Sequence, residues 1–150
     1  MISSSRPGTA LYVSNELAFE LPAGSFEDLT VHALEAPLPG GHVVGLLVTR
    51  AAIPADSGLA DAVRAHVEAE ARRLAFHHVI ERRERLVAGS AAIEVISRWA
   101  HRGLTLHARE IHLADSGVRL TFSMTAPADL QAVSDEYFDH LVSTLDLGHR

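Results

Sequence analysis

Residues 79–125 read VIERRERLVAGSAAIEVISRWAHRGLTLHAREIHLADSGVRLTFSMT. Short turns at Gly89, Arg102-Gly103 and Ser116-Gly117 cut this stretch into four runs with strand character, roughly Val79–Val87, Ala91–Ala100, Leu104–Leu113 and Val118–Thr125. Connections this tight join only antiparallel neighbours, so the stretch predicts an antiparallel sheet. Upstream, Glu16–Leu21, Phe26–Leu34 and Val43–Ile53 have the same strand character.

Two segments carry helical period instead. Leu59, Val63, His66, Val67, Glu70 and Leu74 fall on one face after Ser57, a candidate N-cap. Leu130, Val133, Tyr137, Phe138, Leu141 and Leu145 form a broader apolar stripe. Pro127 suits the first turn of that second helix, Asp129 its positive end, and Gly148 its C-terminal cap. The expected fold class is α+β: an antiparallel twisted β-sheet with two amphipathic helices on one face. With no internal repeat and no low-complexity linker, residues 1–150 are expected to form a single domain.

A sheet covered on one face should be polar on the other. Val118–Thr125 obeys, with Val118, Leu120, Phe122 and Met124 on one side and Arg119, Thr121, Ser123 and Thr125 on the other. Other runs do not. Val43–Val48 is apolar at both parities, Ile96 opposes Ile93 and Val95, and the apolar parity of Leu104–Leu113 switches midway. A β-bulge would explain such a switch, as would burial of the second face by a dimer partner or the N-terminal segment. Otherwise apolar sheet surface remains after the helices dock, the mark of a contact surface. Trp99 is a core anchor or flanks that surface as a binding anchor.

Composition narrows the function. There are 13 basic residues, all arginine, against 19 acidic ones, for a formal charge of −6. That balance disfavours nucleic acid. Cysteine is absent, so no disulfide or thiolate site can form. No secretory signal and no apolar run long enough to span a bilayer are seen, and a cytoplasmic location is expected.

The histidines lack metal-ligand spacing: His77 and His78, and His107 and His112, would point to opposite faces of a strand. His66 is expected to pack beside the core or pair with Glu70. No Gly-x-Ser-x-Gly elbow or phosphate loop occurs, and Ser90 belongs to a turn. The run Glu81–Arg85 reads as charge that blunts a sheet edge. Asp135, Glu136 and Asp139 read as the solvated face of the last helix. Neither catalysis nor a cofactor nor a metal is expected.

These residues resemble the DcrB-like domains of PsbP-like fold, and within them the effector-associated-gene (Eag) chaperones of type VI secretion. The resemblance rests on Leu17–Pro22, Gly24, Phe26-Glu27-Asp28 leading into Leu29–His32, Leu46–Arg50, Glu81-Arg82-Arg83, Ala92-Ile93-Glu94, Arg98-Trp99, His107–Glu110 and Thr125–Asp129. Phe26 stands where the family commonly has tryptophan, and Ala108 and Glu110 where it commonly has glutamines that help bind the client. The resemblance implies a homodimeric adaptor whose concave sheets shield N-terminal transmembrane helices of a PAAR- or Rhs-type effector, and which reaches the secretion spike through that effector.

On this reading Val31 and Ala33 face the client, with Leu47, Ile96, Trp99, Ala108 and Glu110 on the same binding surface. Thr121 and Ser123 would bond polar client atoms. The rival readings are a small-molecule or lipid carrier using the same concavity, and an enzyme using the histidines.

Overall fold

The computed structural model describes residues 2–6, 9–13, 18–22 and 31–148. The chain forms two compact units, Met1–Thr30 and Val31–Arg150. In the first, β1 (Ile2–Arg6), β2 (Thr9–Val13) and β3 (Ala18–Pro22) make a three-stranded antiparallel meander, with an irregularity between Ser4 and Arg6. The expected strand Glu16–Leu21 is therefore met as β3. The step Phe26–Asp28 lies outside the described residues.

The second unit is built on six antiparallel strands: β4 (His32–Pro37), β5 (Val43–Ala52), β6 (Ala75–Val87), β7 (Ser90–His101), β8 (Leu104–Asp115) and β9 (Val118–Pro127). They lie in the order β4-β5-β9-β8-β7-β6. Helix α1 (Leu59–Arg73) enters between β5 and β6, and α2 (Gln131–Thr144) follows β9 through a short 3-10 turn. This is the expected α+β class.

The four-strand meander hangs on three two-residue turns of the same kind. Ala88-Gly89, Arg102-Gly103 and Ser116-Gly117 have φ of 51° and 77°, 49° and 77°, and 51° and 79°, and the flanking pairs Val87–Ser90, His101–Leu104 and Asp115–Val118 lie directly opposite. Two consecutive positive φ angles match the right-handed twist of the strands. The β7–β8 and β8–β9 ladders run without a shift, so no bulge causes the parity switch in β8. The irregularities lie in β6, between Ala75 and His78 and between Val79 and Glu81.

The cover differs from expectation: the two helices pack on opposite faces. Cross-strand partners share a face, and the register puts Ile93, Val95, Glu110, His112, Thr121 and Ser123 on one side and Glu94, Arg109, Ile111, Leu113, Phe122 and Met124 on the other. Val63 of α1, with Leu59 and Val67, packs on Ile93 and Val95. Phe138 and Val142 of α2 pack with Ile111, Leu113, Met124, Val44 and Ala126. The reason is that β7 and β8 are apolar at both parities, so each side needs a lid. Helix ends also depart from expectation. Gly58, not Ser57, occupies the N-cap of α1, and α2 ends at Leu145, ahead of Gly148.

Beneath α2 lies a buried ion cluster. Glu94, fully buried, accepts from Arg109 Nη2 at 2.8 Å, from Arg85 Nη1 at 3.3 Å and from Arg83 Nε. Arg109 in turn reaches Asp139 at 3.0 Å and Asp135 at 3.4 Å, and its guanidinium lies 4.4 Å from the centre of the Phe138 ring. Asp135 is thus half-buried against the sheet, where a solvated face was expected, while Glu136 and Asp139 remain exposed as expected, Asp139 still reaching Arg109 to help pin α2. Arg83 and Arg85 sit on the edge strand, as the charge run predicts, and also close this cluster.

Burial by itself raises the Glu94 carboxyl, but hydrogen bonds and charge from Arg109 and Arg83 outweigh it and hold the group below its ordinary value. The stabilisation is whole above pH 4.5, the ordinary value, and drains away as pH falls below it and the folded carboxylate takes up a proton. Glu94→Gln, which strands Arg109, is expected to cost about 3–5 kcal/mol in urea unfolding at pH 7 and to flatten the stability loss below pH 4.5. Equal slopes in the two proteins would contradict the account. Gly103→Ala, at φ 77°, is expected to lower stability by about 1–2 kcal/mol, measured by the shift of the urea midpoint.

Candidate functional site

On the α1 side the helix covers β7 and β8 but leaves β4, β5 and β9 open, and a groove of about 480 Å³ runs between them. The register sets its floor in three rungs. One runs Glu35, Gly45, Thr125, Ala108, Ser97; the next Ala33, Leu47, Ser123, Glu110, Val95; the third Thr49, Thr121, His112, Ile93. His66, Glu70 and Arg73 of α1 form one wall, and Trp99 and His77 lie at one end, their rings 6.4 Å apart. The floor is therefore small and hydroxyl-bearing, with Leu47 (42% exposed) and Trp99 its large apolar groups. It is less aliphatic than expected, because Val44 and Leu46 turn to the α2 core.

At the α1 wall stands a compact polar cluster. His66 Nε2 lies 3.0 Å from Glu110 Oε2, and His112 Nε2 lies 3.6 Å from the same oxygen. His112 is fully buried, its Nδ1 3.2 Å from Thr121 Oγ1. Burial, with the positive charge of His66, Arg119 and Arg82, pushes its imidazole down to about 3, so it is neutral at physiological pH. The expected pairing of His66 with Glu70 is not formed; Glu70 binds Arg73 at 2.7 Å. Arg119 Nη1 donates to the carbonyl of Ala62 at 3.0 Å, which ties α1 to β9.

Of the nine expected binding residues, Ala33, Leu47, Trp99, Glu110, Thr121 and Ser123 line this groove. Ala108 lies on the same face, buried between Ser97 and Thr125. Val31 is exposed at the start of β4. Ile96 is the exception, because its partner Arg109 lies on the α2 face, and it belongs to the opposite side. Gly45, Thr49, Ser97, Thr125, His66, Glu70, Arg73 and His77 were not anticipated. For Thr49 and Thr125 a signal existed: Thr125 continues the parity of Thr121 and Ser123 on β9, and Thr49 that of Leu47 on β5.

An antiparallel sheet with one helix per face and a groove beside one helix defines an α+β domain of PsbP-like architecture. Residues 16–144 match the family model described as DcrB, and the chain belongs to the DcrB family. Solved structures share the fold. The Pseudomonas aeruginosa protein PA94, of unknown function, superposes with a TM-score of 0.82 at 20% identity over 95% of this chain and 99% of that one. Cyanobacterial PsbP (CyanoP) from Synechocystis sp. PCC 6803 gives 0.53 at 16% identity over 95% and 87%. LpqN, involved in cell envelope biogenesis of Mycobacterium tuberculosis, gives 0.56 at 11% over 79% and 80%. No curated protein matches the sequence. Among the described residues, no helix is long and apolar enough to cross a membrane.

Proposed function

We propose that this protein is a non-enzymatic, ATP-independent holding chaperone whose groove seats an apolar helix of a client polypeptide. In its specific form the client is the N-terminal transmembrane segment of a type VI secretion effector of the PAAR/Rhs kind, held in the cytoplasm by a homodimer. The observation that carries the reading is the groove floor, where Gly45, Ala33, Thr49, Thr121, Ser123 and Thr125 give a shallow surface of small and hydroxyl side chains. Small residues let a helix approach closely, and hydroxyls bond its polar atoms, as between packed membrane helices.

A helix is about 10–12 Å across, and strands lie about 4.8 Å apart. The open strip β4-β5-β9 is therefore about one helix wide. Each 100 Å² of apolar client surface covered there is worth about 2.5 kcal/mol, less the ordering cost of association. Val31, exposed at the start of edge strand β4, and Val43 on β5 extend apolar surface beyond the strip, and a second copy placed there would widen the groove.

The groove volume also lies within the range of small-ligand sites, roughly 300–1,000 Å³, which favours a lipid or small-molecule carrier as the second reading. Co-expression with the N-terminal apolar segment of such an effector separates the two. For the holding chaperone, the segment becomes soluble and co-purifies, and the emission of Trp99, the single tryptophan, shifts to the blue. Recovery of lipid with the protein, and no recovery of the segment, would favour the carrier. Leu47→Glu, at a half-exposed site, is expected to leave stability within about 0.5 kcal/mol. It should weaken capture at least about 100-fold, since it buries an unpaired carboxylate beneath the client. Unchanged capture by this variant would sink the groove as the seat.

A further inference from the structure

We propose that His66, Glu110 and His112 form a binding site for a divalent transition-metal cation of the Zn2+ type, with its fourth coordination position open to the groove. The three side chains come from two elements. His66 hangs from α1, while Glu110 and His112, two apart on β8, share the face beneath it. One ligand atom from each lies within 4.8 Å of the other two. Ligands held about 2.0–2.1 Å from a tetrahedral Zn2+ stand roughly 3.3 Å apart. The spacings to Glu110 Oε2, 3.0 Å from His66 Nε2 and 3.6 Å from His112 Nε2, bracket that value.

The second, independent observation is His112 itself. Its ring is fully buried, and Nε2 has no hydrogen-bond partner among the described residues although it points at Glu110. Buried nitrogens are nearly always paired. With the ring proton on Nδ1, directed at Thr121 Oγ1 at 3.2 Å, the Nε2 lone pair faces the cluster. A hydrogen bond to the far nitrogen is what fixes the tautomer of a metal-bound histidine.

Two imidazoles and one carboxylate suit Zn2+ and its borderline neighbours, whereas Mg2+ and Ca2+ take oxygen ligands. His66 and Glu110 both line the groove, so water or a donor from a bound molecule would complete the sphere there. Arg119 and Arg82 lie on the same side and oppose a cation. Both are tied down, to the carbonyls of Ala62 at 3.0 Å and Ala60 at 3.4 Å, and the Glu110 carboxylate offsets one positive charge.

The site does not depend on the client-holding reading, and the test uses metal alone on the full chain. Co2+ added to protein stripped with chelator should bind at one equivalent, give the intense visible absorption of a four- or five-coordinate nitrogen–oxygen site, and be displaced by Zn2+. His66→Gln and Glu110→Gln should each weaken Zn2+ binding by at least about 100-fold. Thr121→Val, which removes only the outer hydrogen bond, should cost about 10–100-fold and keep the cobalt spectrum. His78→Gln combined with His101→Gln, both at exposed positions, should leave Zn2+ affinity unchanged. Should Glu110→Gln fail to fold, His66→Gln decides, because His66 lies on a partly exposed helix face. No one-equivalent binding up to millimolar metal, or undiminished affinity in His66→Gln, would overturn the site and leave His66 and Glu110 as a hydrogen-bonded pair.

Discussion

Ile93 and Val95 point to one side of β7, and Ile111 and Leu113 point to the other side of its neighbour β8. This two-sidedness dictates the rest. A sheet with apolar groups on both faces must be covered on both, and the described residues supply two α-helices to do it. Each therefore takes one face, α1 through Val63 and α2 through Phe138. One short helix cannot cover six strands, however. On the α1 side, β4, β5 and β9 stay open, and that shortfall is the groove.

The two faces solve their polar problems differently. Beneath α2 the charges are paired inward: Glu94 has arginine donors from β6 and β8, and Arg109 is held between Glu94 and the carboxylates of α2. Such a cluster aligns helix and sheet, since a slip of one position would leave buried charge unpaired. Beneath α1, His112 Nε2 and Arg119 Nε have no hydrogen-bond partner among the described residues, as His107 Nε2, Arg109 Nε and Asp135 Oδ1 have none on the α2 side. Unsatisfied buried atoms are costly, and the one on His112 stands in the His66–Glu110–His112 cluster beside the groove.

The meander was legible because its determinants are local. Gly89, Gly103 and Gly117 close each turn after one residue of left-handed backbone, and strand boundaries follow from them. The alternation of Val118–Thr125 fixed both sides of β9 correctly. The helix placement was not legible, because periodicity tells which stripe of a helix is apolar but not which face of a sheet it meets. Ile96 was misplaced for the same reason, since a run apolar at both parities does not say which parity looks outward. The His66–Glu110–His112 cluster was not legible, because no pair of histidines in the sequence has metal-ligand spacing. Glu110 and His112 share a face as residues two apart on a strand, but their third member is 44 residues upstream on a helix, and only the tertiary fold joins them.

The composition of the groove floor follows from what an open sheet face must do when nothing covers it. A floor of Leu, Ile and Phe would bind an apolar guest more strongly, but exposed to water it would also bind its own kind. Thr49, Ser123 and Thr125 accept water when the groove is empty, and their size would let a helix backbone lie close when it is filled. Leu47 and Trp99 supply the apolar contact that rewards displacement of that water. A surface of this mixed kind suits reversible holding: it forgoes part of the binding energy of an aliphatic groove and thereby avoids association with itself.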